Sequence, residues 1–476
     1  MNRLAMYLLS IWAGWSVAMT AHAQSAVSIC SFDASGTNGA YPEANLTLGP
    51  DGNFYGTTES GGASTNGTIF KVTTNGSLTT LVNFNGTNGA NPLAALTLGP
   101  DGNFYGTTEY GGNTIGTSLN AGLGGGTVFQ MTTNGILTTL VNFAATNGTS
   151  PHAGLTWNPD GNFYGTTASG GPNGFTYGTL FRVTTGGTLT TLTNFSGANG
   201  ANPYAGLTLG PDGNFYGTTE AGGSAGYGTV FELATNRTLT TLANFDGTNN
   251  GVTPYAGLTL GPDGNLYGTT SDSYLLAYTV FPGYTINIPS GNGTIFQITT
   301  NGTLTTLVDF DNYTAGITPN AKLTLGPDGN FFGVTYTGGS NNLGTIFAVT
   351  TNGILTTLVS FNNTNGAYSL AGLTLGPDHN FYGPATAGGT GGNGTVFKLN
   401  LPSVLIALAG SGGGNYTVFV ESYPNSTNRI WTTTNLTLPS SWQVLGTITT
   451  DANGVGQLLD TNTAGIPAKY YRLSYP

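Results

Sequence analysis

Three glutamates stand at one register of a repeated phrase. Glu59, Glu109 and Glu220 each follow Phe-Tyr-Gly-Thr-Thr directly, while the equivalents in other copies are read as Ala168, Ser271, Tyr336 and Ala385. Carboxylates brought to one place could bind a cation or a hydroxylated ligand, and two held roughly 5–10 Å apart could serve glycoside hydrolysis. Seven aspartates recur in a Pro-Asp-x-Asn turn: Asp51, Asp101, Asp160, Asp212, Asp263, Asp328 and Asp378. Asp and Asn oxygens suit Ca²⁺. Each turn offers a single carboxylate, however, and the copies fall on separate units, so these residues read as local turn caps. Aromatic side chains gather in the irregular stretches. Tyr110, Phe175, Tyr177, Tyr227, Tyr274, Tyr278, Phe281 and Tyr284 follow second strands, and Tyr204, Tyr255, Tyr313 and Tyr368 lie between units. Exposed tyrosines offer contact area at low entropic cost. The sequence holds no phosphate-cradling loop, no His/Cys metal cluster and no G-x-S-x-G elbow. No catalytic residue, metal ligand or cofactor is assigned.

The elements that must position these residues come from the repeat itself. Successive aspartates are 50, 59, 52, 51, 65 and 50 residues apart. In the first unit, Asn45–Gly49 alternates, Pro50-Asp51-Gly52-Asn53 turns, and Phe54–Thr58 is a second strand. Gly67–Thr73 is a third strand, Asn75-Gly76 a hairpin turn and Leu78–Phe84 a fourth strand. Four antiparallel strands every ~50 residues match one blade of a β-propeller. Third strands such as Thr68-Ile69-Phe70 are apolar at successive positions, which suits sheets covered on both faces. The seventh copy lacks its fourth strand, whereas Val27–Phe32 precedes the first copy in that strand's place. The expected fold is therefore an all-β, seven-bladed propeller over residues 24–400, with the N-terminal strand closing the last blade and removing an exposed edge. Tight turns occupy one face. The loops after second strands and between blades occupy the other, and they vary in length, most at Gly111–Gly125 and Ser271–Asn292. Variable loops mark the functional face.

Residues 1–23 read as a secretory signal peptide, with Arg3, an apolar stretch over Leu4–Thr20 and the cleavage pattern Ala21-His22-Ala23. No later segment is long and apolar enough to span a bilayer. Residues 401–414 read as a linker and 415–476 as a small β-sandwich of about five strands. Trp431, Trp442, Tyr470 and Tyr471 are expected in its packing. The net charge is −11, with 9 Lys+Arg and no basic patch, which argues against nucleic acid as a partner. Cys30 is the single cysteine, so no internal disulfide forms.

The units D-G-N-F-Y-G-T-T-x-x-G-G…G-T-I-F-K-V-T-T-N-G-x-L-T-T-L-V-N-F resemble the GloVer tandem repeat of secreted bacterial, choice-of-anchor proteins. The resemblance spans Val27–Asn400 and implies an extracellular or surface protein of unassigned activity. The ending at Tyr470-Tyr471-Arg472-Leu473 departs from members that close on an anchor. The Pro-Asp-Gly-Asn-Phe-Tyr hairpin is also similar to blades of NHL and streptogramin-lyase-like propellers. Those lyases rely on inner histidines, whereas His152 and His379 are expected here on opposite faces and His22 in the signal peptide.

Together these readings predict a secreted, cell-surface or periplasmic monomer. It would be a non-enzymatic module that binds an extracellular glycan or surface protein through Glu59, Glu109, Glu220, Tyr110, Tyr227, Tyr278 and Tyr284. An extracellular lyase or glycosidase at the channel mouth, and a structural envelope role, are the alternatives.

Overall fold

The computed structural model describes residues 25–112, 124–171, 177–247, 250–272, 274–281, 284–310, 313–378, 380–400, 405–412, 415–421, 427–434, 443–451, 455–461 and 470–474. Seven four-stranded antiparallel sheets account for the repeats. Blade 1 is built from Thr47–Leu48, Phe54–Thr58, Thr68–Val72 and Leu78–Asn83, paired in chain order from the inside outward. Blades 2 to 6 repeat this order. In blade 7, Thr374–Leu375, Phe381–Ala385 and Thr395–Asn400 take Ser25–Ser31 as their outer strand. The propeller is thus closed by the N-terminal strand. The one addition among the described residues lies in blade 5, where Tyr274–Phe281 pairs with Tyr284–Ser290 as a separate hairpin after the second strand.

The consecutive Phe-Tyr of each second strand explains how neighbouring blades adhere. A strand sends successive side chains to opposite faces, and in a propeller both faces are covered. Tyr55 therefore packs on Phe104 of blade 2, and Phe54 packs on Tyr382 of blade 7. The same tyrosine-to-next-blade contact recurs from blade to blade at centroid distances of 4.2–4.4 Å. A second aromatic ring lies further out, where each outer-strand phenylalanine meets the third-strand phenylalanine of the next blade. It runs through Phe84–Phe129, Phe143–Phe181, Phe195–Phe231, Phe245–Phe296, Phe310–Phe347 and Phe361–Phe397, and closes at Phe32–Phe70, 5.1 Å apart. Phe32 directly follows the closing strand, and its N–H donates to Gly394 O as Phe84 N–H does to Gly67 O. The glycine of Phe-Tyr-Gly is required here. A Cβ on Gly56 would lie 2.5 Å from the ring of Phe70, inside any real contact.

Polar ties close as a ring too. The first-strand threonines Thr47, Thr97, Thr156, Thr208, Thr259, Thr324 and Thr374 each donate to a backbone carbonyl of the next blade at 2.5–2.7 Å. The last bond runs from Thr374 to Leu46 of blade 1. Buried threonine pairs such as Thr58 with Thr68, 2.8 Å apart, join second to third strands. A buried hydroxyl needs a partner, and the Thr-rich composition supplies both halves of each pair.

A second compact unit includes Asn400–Pro476, apart from the propeller unit of Ala26–Leu325 and Phe331–Leu399. It contains two three-stranded antiparallel sheets. One orders Leu405–Gly412, Asn415–Glu421 and Val455–Asp460, and the other orders Gln443–Thr449, Thr427–Thr433 and Tyr470–Ser474. Leu405–Gly412, in the stretch read as a linker, is a strand paired with Asn415–Glu421. Val418, Val420, Ile430 and Ile448 form its buried cluster, with Tyr471 packed against it. Trp442 lies outside the described residues.

Candidate functional site at the channel mouth

The seven aspartates serve as turn caps. Asp101 accepts from the Asn103 N–H at 3.1 Å, from Asn103 Nδ2 at 2.8 Å and from Tyr105 Oη at 2.9 Å. The same set recurs at Asp51, Asp212, Asp263 and Asp378. Although partial burial works in the opposite direction, these donors together hold all five carboxyls below the ordinary range, Asp378 at about 2 with Lys398 beside it. No group of three or more metal-ligating side chains exists among the described residues.

The opposite face is built by one repeated backbone device. Tyr41, Asn91, Ser150, Asn202, Thr253, Thr318 and Tyr368 occupy equivalent inter-blade positions with φ of 52–60°, although none is glycine. Such strain costs about 1–3 kcal/mol and persists only where surroundings over-determine it. Each of these N–H groups donates to a carbonyl of the preceding blade, at 2.7–3.2 Å. The carbonyls of Tyr41, Asn91 and Asn202 in turn accept from the N–H groups of Glu59, Glu109 and Glu220 at 3.0–3.1 Å. The three glutamates are therefore fixed at the same level of three blades. Six of the seven strained residues precede proline, and the residue after that proline leads toward the first strand. In blades 1, 3, 4 and 5 it is Glu43, His152, Tyr204 and Tyr255.

These two sets of residues meet. His152 Nε2 lies 2.9 Å from Glu109 Oε1, with both side chains mostly buried. An ionised carboxylate only accepts, so the imidazole donates from Nε2. The His152 ring abuts Tyr204 edge-on at 4.7 Å, and Tyr204 stacks on Tyr255 at 5.1 Å and 25°. Tyr255 remains 39% exposed at the end of this row. The Tyr110 hydroxyl faces Glu109. Burial and then the neighbouring Glu59 push the Glu43 carboxyl up to about 7. Burial and then Glu109 raise Glu59, while burial raises Glu220. The charges of Glu43, Glu109 and Glu220 all reach the Tyr255 hydroxyl. The mouth is thus a crowded set of carboxylates against an aromatic row. It can donate and accept hydrogen bonds, attract cations and stack a flat ring.

Glu59, Glu109, Glu220 and Tyr110 come together here. Tyr227 is placed differently: it packs against the core cluster of Tyr216, Val230, Phe245 and Leu258, as Tyr177 does against that of Leu180 and Phe195. Tyr278 and Tyr284 sit on the blade 5 hairpin, of which the backbone alone is described, and Phe175 lies outside the described residues. The counterpart of Glu59 in blade 7 is Thr386, not Ala385. Ala385 pairs with Thr395 as Thr58 pairs with Thr68, so the glutamate position falls one residue later. His379 also lies outside the described residues. Sequence reading passed over Glu43, and it placed His152 on an inter-blade loop without a partner. The signal available was the residue after each inter-blade proline.

Residues 14–120, 113–278 and 279–438 match the Gloeobacter/Verrucomicrobia repeat family. No curated protein matches the sequence. Solved structures that align with the chain include a proposed 6-phosphogluconolactonase from Bacteroides uniformis, at 16% identity and TM-score 0.44, covering 86% of this chain and 100% of that one. Puromycin hydrolase aligns at 12% identity and TM-score 0.45, covering 84% of this chain and 62% of its own. An ulvan lyase aligns at 8% identity and TM-score 0.45, covering 89% and 97%. The three matched segments take in nearly the whole chain, and the protein belongs to the Gloeobacter/Verrucomicrobia repeat family.

Proposed function

We propose that this protein is a secreted binding module that takes an extracellular glycan at the mouth of its channel. One observation carries the reading: Glu43, Glu109 and Glu220 lie within electrostatic reach of the stacked Tyr204–Tyr255 pair on the face of variable loops. Stacked rings offer a flat apolar face to a pyranose, and carboxylates accept from its hydroxyls at charge-assisted strength. The leader-like residues 1–23 support export, and no helix among the described residues is long and apolar enough to cross a membrane. The second unit is read as a small β-sandwich attached to this module.

Tyr255→Ala and Glu109→Gln variants on a glycan array test the reading. Binding by the parent protein should fall about tenfold or more in each variant, a loss of about 1.4 kcal/mol. Unchanged profiles in both variants would refute it.

One observation favours an enzyme as the second reading. Glu43 is pushed up to about 7 beside other carboxylates, and environments that separate the pKa values of paired acids create a general acid and a base. Glycan cleavage that is abolished by Glu43→Gln, with binding retained, would establish this reading over simple binding.

A further inference from the structure

Below the mouth, a second ring of residues stands two positions before the threonine of each first strand. It comprises Asn45, Ala95, Gly154, Gly206, Gly257, Lys322 and Gly372. These residues touch around the circle. A Cβ on Gly154 would meet Ala95 O at 3.0 Å, one on Gly257 would meet Gly206 O at 3.2 Å, and Gly372 N–H donates to Asn45 Oδ1 at 2.7 Å. Four glycines and an alanine let these backbones approach closely, and one long side chain crosses them. Lys322 rises from blade 6, passes Gly257 of blade 5 with its Cδ 3.6 Å from where a Cβ would stand, and ends 3.4 Å from Thr208 Oγ1 of blade 4. The Thr208 hydroxyl gives its own proton to Leu258 O, so it only accepts from the amine.

An ammonium has three donors, and this one has a single long contact. The other lysines on the propeller, Lys71 and Lys398, pair with Asp51 and Asp378. No ion pair is formed by Lys322 among the described residues. Taking an ammonium out of water costs several kcal/mol unless a counter-charge or hydrogen bonds compensate. The Lys322 side chain is half-buried, and burial lowers the amine to about 8.

We propose that Lys322 and Thr208 form an anion site inside the channel, one that receives a carboxylate group. The carboxylate would sit against Nζ, beside the Thr208 hydroxyl. It could arrive as a free small acid or as the acidic end of a saccharide threaded from the mouth. The site does not depend on the mouth's binding neutral glycans, which is measured separately on the array.

The chain has four lysines, Lys71, Lys322, Lys398 and Lys469, so the ¹³Cε signals of lysine-labelled protein can be assigned by substitution. Sodium formate is titrated at constant ionic strength. A saturable shift confined to Lys322, with its titration midpoint moving up by about one unit, supports the site. So does loss of that response in Lys322→Met. Lys322→Arg, which keeps the charge, serves as the folding control if Lys322→Met melts early. A uronate-ended oligosaccharide that competes with formate identifies a ligand carboxylate, whereas failure to compete identifies a free acid. A Lys322 signal that never saturates, or that moves in parallel with Lys71 and Lys398, overturns the proposal.

Discussion

The two faces of the propeller use the same side-chain types to opposite ends. On the tight-turn face a carboxylate and a tyrosine meet in most blades, as in Asp101 with Tyr105. At the mouth they meet again, as in Glu109 with Tyr110. Asp51, Asp101, Asp212, Asp263 and Asp378 are served by donors within four residues of the same hairpin and sit below their ordinary pKa, whereas deeper burial raises Asp328. Glu43 and Glu59 of blade 1 and Glu220 of blade 4 come from separate loops, are desolvated, and sit above it. A carboxylate that brings its donors with it stabilises its turn. One that meets other carboxylates does not, and it retains the capacity to bind something else.

The comparison supposes a single closed ring beneath both faces, and the largest expected effect tests that ring. Deleting Val27–Phe32 removes the outer strand of blade 7 and the Phe32–Phe70 contact. The melting temperature should fall by several degrees or more. Calorimetry showing an unchanged melt would mean that the N-terminal strand is not the closure.

Next in size is the turn face. Asp101→Ala leaves the Tyr105 hydroxyl and the Asn103 donors unserved, and should cost about 1–3 kcal/mol in urea unfolding. Tyr105→Phe should cost about 1 kcal/mol, since blade 6 already carries Phe332 at that position. Equal stability in Asp101→Ala would show that the caps are incidental.

The smallest effect is a difference in pH dependence. The depressed aspartates contribute stability that is complete above their unfolded value of 3.8 and lost as the pH falls, for Asp378 toward 2. Glu43 has the opposite sign. Its folded pKa of about 7 exceeds the ordinary carboxyl value of 4.5, so ionising it destabilises the fold above pH 7, and the penalty disappears as the pH falls to 4.5. Glu43→Gln should therefore raise the melting temperature slightly at pH 8 and leave it unchanged near pH 4.5. A gain of equal size at both values would place the cause in packing instead of charge.

Much of this architecture was legible in the chain. The phrase Leu-Thr-Leu-Gly-Pro-Asp-Gly-Asn-Phe-Tyr-Gly-Thr-Thr states two strands and their turn, and its repetition states the blade. The displaced fourth strand, Val27–Phe32, states the closure. These features depend on contacts within about fifty residues, or on one strand standing in for another. Turn capping is equally local, because Asp51, Asn53 and Tyr55 form one hairpin. What the tertiary structure decided is which residues meet. Glu43, Glu109, His152 and Tyr255 are far apart in sequence and lie on four blades, and only closing the ring brings them to one opening. The register of blade 7 likewise needed the pairing of Ala385 with Thr395. The depth of Lys322 needed the glycines beside it, because the same side chain on an exposed loop would be an ordinary solvated amine.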